Sequence, residues 1–169
     1  MTTQITWPLF QNRIRRGELS NTFGTEVRRD EHGKPKPHQG GDFEARVGTA
    51  VFAVGAGQIA FVKNHGVYGL QLCHSVTFRG STLYVFYALL QVVLVVWTRG
   101  TLVQFDQEIA RTGNSGNAHG LRPEENHLHF EIRERPKCSL GIPGRRSPLL
   151  VFGVCPLHYA ADGSQQIPA

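Results

Sequence analysis

The stretch His127-Leu-His-Phe-Glu-Ile-Arg133 is the most informative part of this chain. Polar and apolar residues alternate along it, as they do in a β-strand with one face in a hydrophobic core. On such a strand His127, His129 and Glu131 share one face. The two imidazoles would lie about 6 to 7 Å apart along the strand. Both can then reach one metal ion, or one can bind the ion while the other acts beside it.

A second polar motif, His38-Gln-Gly-Gly-Asp42, lies earlier in the chain. The glycines between its His and its Asp allow the backbone to fold tightly, so both side chains can converge on one ion. Zinc accepts imidazole nitrogen and carboxylate oxygen, and a catalytic zinc site keeps three protein ligands and one open position. His38, Asp42 and His129 would supply the three ligands. His127 would then be free to act as a base or to stabilise the transition state.

The chain between these motifs predicts short strands rather than helices. Val47 to Val62 contains two apolar runs hinged at Gly55-Ala-Gly57, which predicts a hairpin. Leu83 to Trp97 is apolar and rich in β-branched and aromatic residues, but it is shorter than the roughly 20 residues that span a bilayer. It predicts two consecutive buried strands and no membrane span. Since no long segment has a 3.6-residue period, the expected fold is all-β with long loops and little helix.

Length and charge narrow the possible classes of protein. The 169 residues suit one domain, and 18 Lys and Arg against 13 Asp and Glu give a net charge of +5. The basic residues are scattered, without a basic helix or an aromatic RNA-binding pattern, so no nucleic-acid partner is expected. Cys73, Cys138 and Cys155 are too few for a disulfide framework and lack the Cys-x-x-Cys spacing of a thiolate zinc site. Their redox state is left open.

From Asn21 to Phe152 the sequence resembles the peptidoglycan-cutting zinc metallopeptidases of the lysostaphin/LytM type, peptidase family M23. The resemblance rests on the two histidine motifs and on the segments between them, all in the order and at the spacing of the family. It implies a mainly antiparallel β-sheet of the LytM/lysostaphin sandwich type, with a groove for a peptide of peptidoglycan. It also implies that His38, Asp42 and His129 hold Zn²⁺ and that His127 is a catalytic histidine beside it.

One position departs from the pattern of this family. The family usually has Tyr-x-His-Leu after the central strand, and that His is a second catalytic residue. Here the segment reads Tyr87-Ala-Leu-Leu90, so Leu89 stands in the place of the histidine. Leucine can neither donate nor accept a proton, and the loss of one such group typically costs about 10²- to 10³-fold in rate.

Several other polar residues are candidates for the groove. Arg28 or Arg29 could contact a substrate carboxylate, and the groove set is Arg28, Tyr87 and Asn114, the last in the tight loop Gly113 to Gly116. His74 and His119 are interpreted as structural or surface histidines. Glu131 is interpreted either as a partner that orients a ligand imidazole or as an ordinary exposed strand residue.

These features divide the chain into an arm (1–20), a peptidase domain (21–155) and a tail (156–169). The expected function is a zinc-dependent endopeptidase that acts on stem or cross-bridge peptides of peptidoglycan, with activity weakened by Leu89. The alternative is a zinc-binding pseudopeptidase that binds cell-wall peptides or a protein partner. A delivery or inhibitor protein is a further candidate partner. The expected site of action is the bacterial cell envelope, reached by another export route because Met1 to Phe10 shows no secretory signal.

Overall fold

The structure, a computed structural model, describes residues 4–148 of the chain. Within this range it contains strands and short 3-10 helices. The strands are β1 (Gly24–Arg29), β2 (Pro35–His38), β3 (Gly41–Glu44), β4 (Ala50–Phe52), β5 (Gly57–Asn64), β6 (Leu70–Phe78), β7 (Ser81–Val93), β8 (Leu102–Val103), β9 (Glu108–Thr112), β10 (His127–Arg133) and β11 (Arg145–Arg146). The 3-10 helices are Arg15–Gly17, Leu19–Asn21, Gly66–Tyr68, Gly116–Ala118 and Pro123–Glu125.

An antiparallel sheet dominates the fold and has the order β11-β10-β7-β6-β5-β8. Strand β10 is central to the site because three strands pair with it. One half of β10 pairs with β3, which places His129 opposite Asp42. On its other side β10 pairs with β7, which places His129 opposite Ala88 and Arg133 opposite Tyr84. Strands β1 and β2 form a separate antiparallel pair that leads to His38. The predicted all-β architecture with little helix is confirmed.

The alternation in β10 sorts its side chains as the sequence predicts. Leu128, Phe130 and Ile132 are fully buried in the main hydrophobic core. The segment before residue 21 contributes to the same core, since Trp7 is buried there and its ring meets that of Phe43 edge to face at 5.8 Å between centroids. Residues 4–20 therefore pack onto the strands that follow them.

A second, smaller apolar cluster lies on the opposite face of the sheet. It contains the buried residues Cys73, Phe86, Ala88, Leu89 and Ala118. Cross-strand pairs share a face of a sheet, so this cluster lies on the same face as His129, which is opposite Ala88. The candidate site thus lies beside a cluster of buried apolar side chains.

Two predictions about individual strands are wrong. The segment Leu83 to Trp97 does not form two strands, because β7 continues without a turn from Ser81 to Val93. The predicted hairpin within Val47 to Val62 is also absent, since β4 pairs with β9 and β5 pairs with β6 and β8. Both segments are apolar because they are buried in the sheet. An apolar sequence predicts burial, but it does not predict where a strand ends or which strand pairs with it.

Two further expectations concern membrane helices and cysteines. Among residues 4–148 no helix is long and apolar enough to cross a membrane. Cys73 is buried, Cys138 is half-buried, and both are free thiols. Cys155 lies outside the described residues, as do the tail 156–169 and the end of the predicted domain.

Candidate metal centre and active site

Three strands bring the side chains of His38, Asp42 and His129 together. His38 ends β2, Asp42 lies in β3 and His129 lies in β10. Their ligand atoms all lie within 4.8 Å of one another, and all three residues are buried. The tight Gly40-Gly41 connection permits this approach, because a Cβ at Gly40 would lie 2.2 Å from the carbonyl oxygen of Phe130.

Hydrogen bonding defines which nitrogen of His38 faces this cluster. Its Nδ1–H donates to the carbonyl oxygen of Thr22 at 2.9 Å, since a carbonyl can only accept. The Nε2 atom therefore carries a lone pair, and it lies 3.2 Å from Oδ1 of Asp42. Nε2 is buried and makes no hydrogen bond. A buried nitrogen left unsatisfied is costly, and a cation at this point would satisfy it.

The second imidazole is oriented in the same way by a carboxylate. Nε2 of His129 lies 2.9 Å from Oε1 of Glu131, and Nδ1 lies 2.8 Å from Oδ1 of Asp42. When Nε2–H donates to Glu131, Nδ1 is the atom that points towards His38 and Asp42. Two imidazole nitrogens and a carboxylate oxygen then converge on one point. This donor set is one that zinc prefers, so the residues present fit a zinc ion.

The electrostatics of the cluster favour a cation. Burial alone would raise the pKa of Asp42, but the adjacent imidazoles of His129 and His38 hold it well below the usual range. Burial alone would lower the pKa of His129, but the carboxylates of Asp42 and Glu131 raise it to about 9. The carboxylates thus stabilise positive charge at this point, whether a proton or a metal ion carries it.

Glu131 anchors a buried polar network behind His129. The carboxylate has no exposed surface and accepts from Tyr68 Oη at 2.9 Å, Arg133 Nε at 2.6 Å and Arg145 Nε at 2.7 Å, besides His129. Burial would raise the pKa of Glu131, but these partners lower it strongly. Glu131 is therefore a buried residue that orients an imidazole, not an exposed strand residue.

Arg28 contacts the cluster from the β1–β2 side. Its Nη2 donates to Oδ2 of Asp42 at 2.6 Å, and its Nε donates to the carbonyl oxygen of Ser20 at 2.6 Å. The side chain of Arg28 keeps about a third of its surface exposed. The structure thus assigns one oxygen of Asp42 to Arg28 and leaves Oδ1 for the two histidines. Arg29, the alternative groove residue, is exposed.

His127 faces the cluster without belonging to it. Its Nδ1–H donates to the carbonyl oxygen of Glu125 at 2.9 Å, so Nε2 carries the lone pair. This Nε2 lies 3.9 Å from Oδ2 of Asp42. Burial lowers the pKa of His127, although the nearby Asp42 opposes that shift. A neutral imidazole with its basic nitrogen directed at the cluster can accept a proton there.

Leu89 occupies a distorted point of β7. Its φ is +64°, and the pairing of β7 with both β6 and β9 shifts register around it. This left-handed conformation is uncommon for bulky apolar residues and several-fold enriched in His, Asn and Asp. The side chain is 2% exposed and packs in the smaller cluster with Ala88 and Ala118. Position 89 thus keeps a backbone that suits histidine but carries an apolar side chain.

Other predicted site residues lie elsewhere. Tyr87 has no exposed surface, and its Oη accepts from the backbone N–H of Val54 and bonds Nε2 of His74. Its assignment to the groove is therefore corrected, because a buried hydroxyl satisfied by the core cannot reach a substrate. His74 is a core histidine, as interpreted. Asn114 and His119 are exposed.

Sequence reasoning missed two residues beside the site. Tyr68 ends a 3-10 helix, donates to Glu131, and stands 5.4 Å from His129 between ring centroids. Arg145 reaches Glu131 from β11. Neither residue had a signal in sequence, because each contact joins segments whose proximity depends on strand order in the folded sheet.

This fold and donor set are typical of a metallopeptidase domain, and comparisons with known proteins identify the family. The chain belongs to peptidase family M23, whose model matches residues 36–139, more than half of the chain. This match confirms the predicted family. The matched range contains the three clustered residues and His127.

Individual relatives are similar over a part of their length. The chain is 31% identical over 123 residues to the peptidoglycan DD-endopeptidase ShyB of Vibrio cholerae serotype O1, covering 70% of this chain and 26% of that protein. It is 34% identical over 102 residues to ShyA, a peptidoglycan DD-endopeptidase of the same organism, covering 59% of this chain and 21% of that protein. The chain thus spans about a quarter of the length of these relatives.

Solved structures share the fold. A zinc-containing peptidase from Vibrio cholerae superposes with a TM-score of 0.60 at 29% identity, covering 81% of this chain and 40% of that chain. The catalytic domain of lysostaphin from Staphylococcus simulans superposes with a TM-score of 0.57 at 24% identity, covering 76% of this chain and 86% of that chain. The second similarity supports the fold alone.

Proposed function

We propose that this chain is a zinc-dependent endopeptidase that hydrolyses peptide bonds in stem or cross-bridge peptides of bacterial peptidoglycan. The observation that carries the proposal is the buried Nε2 of His38, which makes no hydrogen bond and faces Asp42 and His129. The peptidoglycan endopeptidases among the relatives support the same substrate class. Such a substrate lies in the bacterial cell envelope, so we place the action of the protein there.

His38, Asp42 and His129 would hold the zinc. When bound, zinc polarises the scissile carbonyl and lowers the pKa of water. Three residues keep these side chains in place. Thr22, Glu131 and Arg28 each form a hydrogen bond with the nitrogen or oxygen of one side chain that points away from the cluster. This bonding orients the ligands before any substrate arrives.

His127 would move the proton. Its Nε2 is the free basic nitrogen beside the cluster, and its lowered pKa keeps the ring neutral at pH 7. The neutral ring can take a proton from the attacking water and return it to the leaving amine. The hydrogen bond from Nδ1 to Glu125 stabilises the cation formed between these two steps.

The apolar side chain of Leu89 suggests that the proton-transfer half of this site is weaker than its metal-binding half. A histidine at this position could stabilise the oxyanion of the transition state, and Leu89 cannot. Loss of one such donor costs about 10²- to 10³-fold in rate. The activity we propose is therefore slow rather than absent.

A pseudopeptidase is the second candidate, and Leu89 is the observation that favours it. In that case the chain would bind zinc and a cell-wall peptide or a protein partner without cleaving it. The orientation of His127 favours the enzyme, because its basic nitrogen is held ready towards the cluster by a backbone hydrogen bond.

The deciding experiment is muropeptide release from purified peptidoglycan, followed by mass spectrometry. Wild type is compared with His127→Ala and with His119→Ala, a control at an exposed histidine. Cleavage that depends on zinc, is lost in His127→Ala and persists in His119→Ala would support the enzyme. No product from wild type after long incubation with zinc, while zinc is bound, would support the pseudopeptidase.

A further inference from the structure

A cavity of about 700 Å³ lies on the same sheet face as the metal cluster and has no role in the site described above. Its lining includes Lys63, Arg99, Arg135 and Lys137, together with the rings of Phe61 and Tyr84. No Asp or Glu lines it among residues 4–148. Its volume lies within the range of small-molecule sites.

The four cations are not neutralised within the part of the chain that the structure describes. None of them makes an ion pair there, whereas Glu134, the carboxylate next to Arg135, is paired with Arg146 at 2.9 Å. Lys63 instead stands over the ring of Phe61, with Nζ 5.1 Å from the centroid. Like charges gathered around a cavity repel one another, so an anion inside it would be favoured.

The backbone that carries two of these exposed cations is held by the network behind His129. Arg133 bonds Glu131 and also donates from Nη1 to the carbonyl oxygen of Pro136, between Arg135 and Lys137, at 3.0 Å. On the opposite wall, Gly100 N–H donates to the carbonyl oxygen of Ile59, which fixes the loop that carries Arg99. The backbone on both walls of the cavity is therefore fixed by the fold, and the four exposed cationic side chains extend from it.

The position of the cavity relates it to the metal cluster. Tyr84 in its lining is opposite Arg133, and Ala88 is opposite His129, with no register shift between these pairs. Four residues along a strand correspond to about 13 Å, the length of about four residues of extended peptide. Glu131 and Arg133 are buried between these two points, so a peptide with its cleaved bond at His129 would pass over their network and place its distal groups at the cavity.

We propose that this cavity is a second subsite, which binds carboxylate groups of the peptide substrate several residues from the cleaved bond. The proposal rests on the proposed function for its choice of substrate. Peptidoglycan peptides carry free carboxylates, which match four unpaired cations, and the two rings can pack against the apolar parts of the same chain. This subsite would contribute to substrate binding and not to the chemical step.

The test is a binding cycle that does not depend on cleavage. The probe is a soluble disaccharide-peptide fragment of peptidoglycan, used with free carboxylates and after their conversion to amides. Binding is measured by calorimetry in a His127→Ala background for three proteins: the background itself, Arg99→Gln/Arg135→Gln, and the charge-matched control Arg16→Gln/Arg79→Gln at exposed positions outside the cavity. Poly(glycerol phosphate) serves as a second anionic probe.

We expect the cavity variant to bind the free-carboxylate fragment about tenfold more weakly, and amidation to weaken binding to the control by a similar factor. In the cavity variant amidation should have little further effect, because the interacting partner is already gone. Equal binding of both fragments by the cavity variant and the control would overturn the proposal. The proposal would also be overturned if the cavity variant lost binding of poly(glycerol phosphate) but kept binding of the peptidoglycan fragment. Failure of the proposed function would instead appear as absent cleavage by wild type, with this binding cycle intact.

Discussion

Each face of the central sheet buries a histidine, and the pKa values of these two histidines shift in opposite directions. On the core face His74 bonds Tyr87 Oη at 2.9 Å, and burial lowers its pKa to about 4. On the site face His129 is also buried, but Asp42 and Glu131 raise its pKa to about 9. Burial alone therefore makes a neutral imidazole, and burial between carboxylates makes a cation site.

The residues on the face of the sheet that carries His129 differ in how well they are oriented. Hydrogen bonds orient each of the three metal-binding side chains. The catalytic residues are one oriented imidazole, His127, and an apolar residue, Leu89. From this difference we propose that metal binding is retained in full and proton transfer only in part. Four predictions test this difference between the metal-binding and the catalytic residues.

The largest effect is expected for Glu131→Gln. This change leaves Arg133 and Arg145 buried without their shared carboxylate, which should cost about 3 to 5 kcal/mol in the free energy of unfolding. Zinc affinity should also fall about 10- to 100-fold, because His129 loses its anionic partner. Urea unfolding and zinc titration measure the two effects. Glu134→Gln, at a half-exposed ion pair, is the control and should change both values little.

Leu89→His tests the catalytic part. A histidine restores a group that can donate to the oxyanion, so cleavage of peptidoglycan should rise about 10²- to 10³-fold. Leu89→Asn is the matched control, since Asn tolerates the left-handed backbone but cannot transfer a proton. Equal rates for the two variants would show that the gain does not require an imidazole, because the Asn amide can donate a hydrogen bond to the oxyanion but cannot transfer a proton. Unchanged rates in both would mean that position 89 has no catalytic role here.

The free energy of unfolding should depend on pH through His74, which lies on the core face of the sheet. Unfolded His74 takes a proton near pH 6.5, whereas the folded residue does so only near pH 4. Stability should therefore fall as the pH drops from 6.5 to 4, with a contribution of about 3 kcal/mol from this residue. Urea unfolding of wild type and His74→Gln across this range measures it. A slope that is the same in both proteins would contradict the interpretation.

The smallest effect is expected for Arg28→Ala. This change removes the hydrogen bond to Oδ2 of Asp42 from a partly exposed side chain, so zinc affinity should fall about tenfold. Arg29→Ala, at the exposed neighbour, should leave the affinity unchanged. If Arg28→Ala instead raises KM and leaves zinc affinity unchanged, the result would support the sequence-based prediction that Arg28 contacts a substrate carboxylate.

Much of this molecule could be predicted from its sequence, and what was missed has a physical reason. The alternation in β10 and the glycines after His38 are local patterns, so the all-β class and the cluster could be anticipated. Tyr87 was misplaced because an aromatic residue on a buried strand looks the same whether its hydroxyl meets solvent or His74. Strand order, which brings Tyr68 and Arg145 to Glu131, depends on long-range pairing that local patterns do not encode.

The most direct test of the central claim is the zinc content and zinc affinity of the purified chain, compared with His38→Ala and His119→Ala. We expect one tightly bound zinc ion per chain in wild type and in His119→Ala, and its loss in His38→Ala, whose Nε2 makes no hydrogen bond. A wild-type chain that binds no zinc, or a His38→Ala variant that binds it as tightly as wild type, would contradict the proposed metal centre.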